Sequence, residues 1–157
     1  MNTKITDDVH LQDYPGHYIR RLQQIAVAIF LQETDKFNLT PVQYATLETV
    51  SHVPNIDQKT LARTIGQDTS TIGGVIDRLE SRGLMERKAS ESDRRVHLLA
   101  LTLEGEKVLE EVFPLVVQAQ ERILGPLSQK DRAEFMRIIK TLVIGNNELS
   151  RAPRNPL

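Results

Sequence analysis

The sequence predicts a mainly α-helical fold carrying one small β-hairpin, and three observations lead there. Apolar residues recur at three- and four-residue spacing along most of the chain. Two short segments, LMERK and VHLLAL, flank a single polar, turn-rich stretch, ASESDRR. A capping hydroxyl or carboxylate stands ahead of most of the helical stretches. With 157 residues, 39% of them hydrophobic and 26% charged, the chain has the length and profile of one folded domain. That domain is expected over 16–150, with a flexible arm over 1–15 and a loose tail, RAPRNPL, over 151–157.

The elements follow in order. Between 17 and 37, Ile19, Leu22, Ile25, Ala26, Ile29 and Phe30 mark an amphipathic helix. Thr40-Pro41-Val42-Gln43 combines an N-cap hydroxyl, proline at the first helical position and a capping-box glutamine, so a second helix starts there and runs to about Val53. Asp57 can cap a short third helix through Thr60, Leu61 and Ile65, stopped by Gly66. A fourth helix, with Asp68, Thr69 and Ser70 as capping candidates, buries Ile72, Val75, Ile76 and Leu79 and ends at Gly83 in a left-handed conformation. After the hairpin, Thr102 caps a long helix striped by Val108, Val112, Leu115, Val116, Ala119 and Ile123, with Pro114 inside it and Gly125-Pro126 as its stop. Ser128 opens a last helix with Phe135, Ile138, Ile139, Leu142 and Val143 facing inward.

Composition removes several classes of function. The chain has no cysteine, so disulfides, thiolate metal sites and cysteine redox chemistry are out. His10, His17, His52 and His97 form no metal-ligand spacing, and no metal or cofactor is expected. No Gly-rich phosphate loop, HExxH or nucleophile motif supports an enzyme. No stretch approaches the ~18 apolar residues that span a membrane, and the start lacks a signal-peptide core, so a cytoplasmic protein is expected. Twenty Lys and Arg against 21 Asp and Glu make no polycation, so any nucleic-acid contact must come from a local patch.

Thr60 to Leu79 carries the most informative spacing. Two short helices crossing steeply need a small residue at the crossing, a turn residue tolerating positive φ, and an apolar plug; Ala62, Gly66 and Ile72 supply these in that order. An ordinary helical hairpin in a bundle would share the pattern, but a β-hairpin directly after the second helix is the layout of a winged helix, here about 40–101. Between Arg82 and His97 stand five basic residues (Arg82, Arg87, Lys88, Arg94, Arg95) and three acidic ones (Glu86, Glu91, Asp93). A wing arginine suits a narrow minor groove, whereas a solvated charged turn would carry the same residues. The exposed set expected on the second of the two helices is Thr69, Ser70, Thr71, Gly73, Gly74, Asp77 and Arg78. Its hydroxyls and glycines allow close approach to base edges and phosphates, with Arg78 as the stronger reader. Gln58 and Lys59 are placed at a helix N-terminus to meet backbone phosphate.

Over 17–148 the chain resembles the multiple antibiotic resistance regulator (MarR) family of winged-helix transcription factors. The resemblance rests on LTPVQYATL, STIGGVIDRLESRGLMER and DRRVHLLALTLEG, in that order and spacing. It implies a homodimer built on the helices over 17–37 and 102–148, two recognition helices in successive major grooves of a pseudo-palindromic operator, and Arg94 or Arg95 in the minor groove. It makes Asp93 structural, orienting a basic partner of its own module. The helices outside the winged module support that interface independently, since they carry more apolar surface than a small domain covers.

The family typically responds to small phenolic or aromatic acids. His17, Arg20, Arg21 and Gln24 lie at spacings of three, four and seven, so most share one face of the first helix, and a guanidinium can grip a carboxylate bidentately. Tyr44 and His52 offer an opposite wall. These residues would equally serve as exposed basic groups or interface hydrogen bonders. The stretch YPGHYIRRLQQIAVAIF resembles the first helix of regulators of aromatic or heteroaromatic acid catabolism, the nicotinic-acid type among them. The expected function is therefore a sequence-specific, homodimeric repressor released from its operator by an aromatic carboxylate. The alternative is a winged helix used for protein contacts, or for constitutive DNA binding, without a ligand.

Overall fold

Pro15 supplies the first residue of α1 (Pro15–Glu33), where its missing N–H costs nothing because the first amides of a helix have no intrahelical acceptor. The structure, a computed structural model, describes residues 10–150. The expected arm and first helix need correction. Leu11–Asp13 form a 3-10 turn, α1 begins at Pro15 rather than at 17, and it ends at Glu33 rather than at 37. The buried Thr34 closes its last turn, sending both its amide (3.0 Å) and its hydroxyl (2.8 Å) back to the Phe30 carbonyl. Asp35–Phe37 then form a separate 3-10 turn that exits through Asn38 at φ 49°. The rest of the arm, 1–9, and the expected tail, 151–157, lie outside the described residues.

The capping chemistry read from the sequence is present. In α2 (Pro41–His52) the Thr40 hydroxyl accepts from the Gln43 amide at 3.2 Å, and the Gln43 side chain accepts from the Thr40 amide at 3.0 Å. Asp57 caps α3 (Gln58–Ile65) through the Thr60 amide at 2.9 Å. Of the three candidates for α4 (Thr69–Ser81), Asp68 is the cap, accepting from Thr71 at 2.8 Å. Thr102 caps α5 (Leu103–Leu124), and Ser128 caps α6 (Gln129–Gly145).

The α3–α4 crossing uses the three expected residues. Ala62 is buried, its carbonyl accepts from the Gln67 amide at 2.9 Å, Gly66 turns the chain at φ 71°, and Ile72 is fully buried. The hairpin pairs β2 (Met85–Ala89) with β3 (His97–Leu101), Met85 opposite Leu101 and Ala89 opposite His97. A third strand escaped the sequence reading. β1 (Ile56–Asp57) pairs antiparallel with β3, Ile56 opposite Leu99, giving the order β1-β3-β2. Two residues are too few to show alternation, so no periodic signal could have marked them. The core under this sheet gathers Leu47, Leu61, Ile72, Ile76, Leu79, Leu99 and Val112, all at 2% exposure or less.

α6 departs from expectation. The stripe predicts Phe135, Ile138, Ile139, Leu142 and Val143 inward, yet none is buried, and Val143 and Ile144 stand 66% and 72% exposed. An amphipathic stripe establishes that a face is apolar and leaves open what covers it. Phe113 and Val117 of α5, and Ile19 and Ile25 of α1, are likewise exposed. Among the described residues no helix is long and apolar enough to cross a membrane.

Candidate nucleic-acid interface and effector cavity

α4 turns its apolar stripe into the core and leaves Thr69, Ser70, Thr71, Asp77 and Arg78 exposed. Gly73 differs from the expected open position. A Cβ there would come within 3.0 Å of the Gln58 side-chain nitrogen, and that nitrogen donates to the Thr69 carbonyl at 3.1 Å. Gln58 therefore holds the start of α4 against α3 and covers Gly73, which is only half exposed. Lys59 beside it is exposed.

The basic residues of the wing region divide into two groups. The Arg82 guanidinium donates to the carbonyls of Asn38 and Phe37, each at 2.8 Å, tying the end of α4 to the loop before α2. Arg87, its side chain 22% exposed, reaches from β2 to Asp77 at 2.6 Å and to Glu80, both on α4. Burial disfavours its charge, but the bond to Asp77 and the two carboxylate charges outweigh this and raise its pKa further. Lys88 pairs with Glu86 along its own strand at 2.7 Å. By contrast, Arg94 and Arg95 sit exposed in the wing tip, and with Arg78 and Lys59 they make no ion pair among the described residues. Asp93 is structural by a different route from the one expected. Its carboxylate accepts from the Arg95 backbone amide at 2.9 Å and shapes the tip, with no basic side chain involved.

A cavity of about 300 Å³ lies between α2 and α5, lined by Tyr44, Glu48, His52, Leu109, Glu110 and Phe113. The sequence pointed to Tyr44 and His52 and passed over the other four. Glu48 was within reach of that reading, since Tyr44, Glu48 and His52 repeat at i, i+4, i+8 on one helix face. Burial, and then the Glu48 charge, push the Tyr44 phenol up, so its hydroxyl stays protonated in neutral solution. The Tyr44 ring leans on Phe30 of α1 with centroids 6.1 Å apart. His17, Arg20, Arg21 and Gln24 do not line this cavity. The last three are exposed on α1, while the buried His17 Nδ1 has no hydrogen-bond partner among the described residues, its ring edge-on to Tyr18 at 5.3 Å.

α5 joins the cavity to the recognition module. Three residues on from its cap, Gly105 packs against the Leu84 backbone, the Thr102 amide donates to the Leu84 carbonyl at 3.2 Å, and the Thr102 hydroxyl donates to the Gly83 carbonyl at 2.6 Å. Gly83, at φ 71°, and Leu84 form the turn between α4 and β2.

Comparison with known proteins matches residues 39–97, from just before α2 to the start of β3, to the MarR family model. Transcriptional regulator HosA of Escherichia coli O127:H6 is 32% identical over 133 residues, 85% of this chain and 97% of that protein. The chain belongs to the MarR family. Its relatives are transcriptional regulators, and so is this protein. Bordetella bronchiseptica BpsR, whose DNA binding is described as regulated by 6-hydroxynicotinic acid, superposes with a TM-score of 0.81 at 28% identity, covering 85% of this chain and 96% of that one. The transcriptional repressor CouR, bound to a 23-mer DNA duplex, superposes at 0.80 and 30% identity, covering 85% of this chain and 94% of that one.

Proposed function

We propose that the protein is a homodimeric repressor that binds a pseudo-palindromic operator and is released from it by a small aromatic carboxylate, a nicotinic acid derivative being one candidate. The observation that carries this reading is the double role of α5. The same helix lines the cavity through Leu109, Glu110 and Phe113 and abuts the α4–β2 turn through Thr102 and Gly105. A ligand that binds one position of α5 better than another can thereby bias the recognition helix, and only that difference in affinity does work. On the DNA side, Thr69, Ser70, Thr71 and Arg78 are assigned to the major groove, Arg94 or Arg95 to the minor groove, and Lys59 with the amides beside Gln58 to phosphate, while Gly73 serves the contact with Gln58. On the effector side, Tyr44 and His52 are assigned to the ring, and His17, Arg20, Arg21 and Gln24 of α1, which lie off the cavity, are assigned to the dimer seam.

The test is an anisotropy titration against DNA from the gene's own upstream region, across a salt series and with a panel of aromatic acids. Tight, salt-sensitive binding released by one compound supports the reading. Specific binding that no compound disturbs, at concentrations saturating the protein, leaves a constitutive binder and removes the effector.

A further inference from the structure

Among the described residues nothing accounts for Gly74. It stands near the middle of α4, where glycine weakens a helix relative to alanine because its backbone gives up more freedom on folding. Gly73 beside it has a local reason, since a Cβ there would press on Gln58 at 3.0 Å. At Gly74 a Cβ would meet nothing within 4 Å, and the backbone is not in the positive-φ region that favours glycine. Alanine would therefore fit the chain at this position and hold α4 better. The surroundings say where the reason for glycine lies. Residues three and four apart share a helix face, and Ser70, Thr71, Asp77 and Arg78 stand at those spacings about Gly74, all four exposed. The bare position is thus the centre of the outward face, ringed by hydroxyls and charges rather than by apolar side chains. Asp77 is already engaged by Arg87 at 2.6 Å, which leaves Arg78 as the charge of that ring that can meet an anion.

Resting on the operator reading above, we infer that Gly74 sets the depth at which α4 seats in the major groove: its missing side chain lets the helix backbone come up against the DNA, and the fold gives up helix stability for that contact. The groove is about 12 Å wide and a helix with its side chains about 10–12 Å across, so the fit has little slack. A methyl group at the centre of the face lifts the whole face, stretching the hydrogen bonds of Ser70, Thr71 and Arg78 to base edges beyond their usual ~2.7–3.2 Å. Phosphate contacts from the long side chains of Lys59 and the wing arginines follow such a shift more easily. The loss therefore falls on sequence-specific binding and largely spares the non-specific kind.

The experiment compares the full chain with Gly74→Ala and Gly74→Leu, two strong helix formers that differ in size. Melting temperature is read for each, with anisotropy affinities for duplex DNA from the gene's own upstream region and for a scrambled duplex of equal length at the same salt. Gly74→Ala is expected to melt roughly 2–4 °C higher than the wild type. Its operator affinity is expected to fall about tenfold, the scale of one misread base pair, and that of Gly74→Leu by about a hundredfold or more. Scrambled-DNA affinity is expected to stay within about threefold. A lower melting temperature for Gly74→Ala would return the glycine to the fold, and unchanged operator affinity would leave it without a role in seating. Equal losses in the two variants would assign the effect to helix flexibility rather than room, and a parallel fall on both duplexes would assign it to general DNA affinity. Each of these results overturns the inference and leaves the operator reading standing. A wild type that binds both duplexes equally overturns the operator reading and takes this inference with it.

Discussion

Gly105 of α5 lies directly on the backbone of Leu84. A Cβ at residue 105 would overlap the Leu84 carbonyl oxygen and come within 2.9 Å of the carbonyl carbon. Neither neighbour can rotate away, since both belong to the main chain of the α4–β2 turn. Gly105→Ala is therefore expected to push α5 off that turn at a cost of roughly 1–3 kcal/mol, the range of overpacked sites. Urea unfolding measures this, and operator affinity measured under folded conditions should fall as well. An alanine variant with wild-type stability and affinity would show that α5 and the turn move independently.

Arg87 provides the lateral restraint between wing and recognition helix. Removing it leaves Asp77 and Glu80 facing each other across the α4 surface without a cation. Arg87→Met keeps the apolar stem and is expected to cost about 1–3 kcal/mol, as for loss of a partner to charged groups in a partly buried site. Asp77→Asn should cost much less, because Asp77 is 67% exposed and Glu80 still holds the guanidinium. Thermal unfolding of the pair checks the order, and an equal loss from both would put the weight on Asp77.

What the sequence disclosed about the fold, and what it did not, follows from the range of the forces involved. Caps at Thr40, Asp57, Asp68, Thr102 and Ser128 act within three residues, so type and spacing reveal them. Ala62, Gly66 and Ile72 are likewise a local demand of one crossing. The tie between Arg87 and α4 spans 7 and 10 residues, and nothing in a list of wing charges tells it apart from the exposed Arg94. The cavity joins residues about 60 apart in sequence, from Tyr44 to Leu109, through packing that no period encodes. α6 illustrates the remaining difficulty, since its stripe is legible while a periodic pattern carries no information on what covers it.

Asp57 predicts a pH dependence. The Thr60 hydroxyl and the amides of Thr60 and Lys59 stabilise its carboxylate and hold its pKa below the ordinary value, against a smaller opposing effect of burial. A group whose folded pKa is depressed contributes stability above its unfolded pKa and loses that contribution as pH falls through the folded pKa. Asp57→Ala should then cost about 1 kcal/mol near neutrality, the usual worth of a cap. Urea midpoints of wild type and variant should converge as the pH drops below ~4. A gap that stays constant with pH would assign the loss to something other than the charge.

The wing tip predicts a salt signature. If Arg94 or Arg95 neutralises a phosphate or enters a narrow groove, its replacement by alanine lowers operator affinity and reduces the slope of log K against log salt by about one per subunit. Arg82→Ala makes the contrasting control. Its guanidinium is held by Phe37 and Asn38, so it should lose stability with little change of slope. A slope unmoved by both tip variants would place the phosphate contacts elsewhere in the module.

The apolar face of α6 predicts the assembly. α6 buries none of its residues against its own chain, and Arg132 near its start bonds to Glu121 of α5 at 2.6 Å and to the Leu127 carbonyl at 3.2 Å. Leu142, Val143 and Ile144 are therefore free to serve a second copy, along with exposed Phe113, Val117, Ile19 and Ile25. A charge set into such a seam is desolvated without a partner, so Leu142→Asp or Val143→Asp should weaken association by roughly a hundredfold or more. Because neither side chain supports the fold of one subunit, far-ultraviolet circular dichroism at high concentration should be preserved while sedimentation shows monomer. Operator affinity should fall in step, since each half-site then has to be bound separately. Dimers that survive both substitutions would move the seam away from α6, while loss of helical signal would mean that α6 folds only when paired.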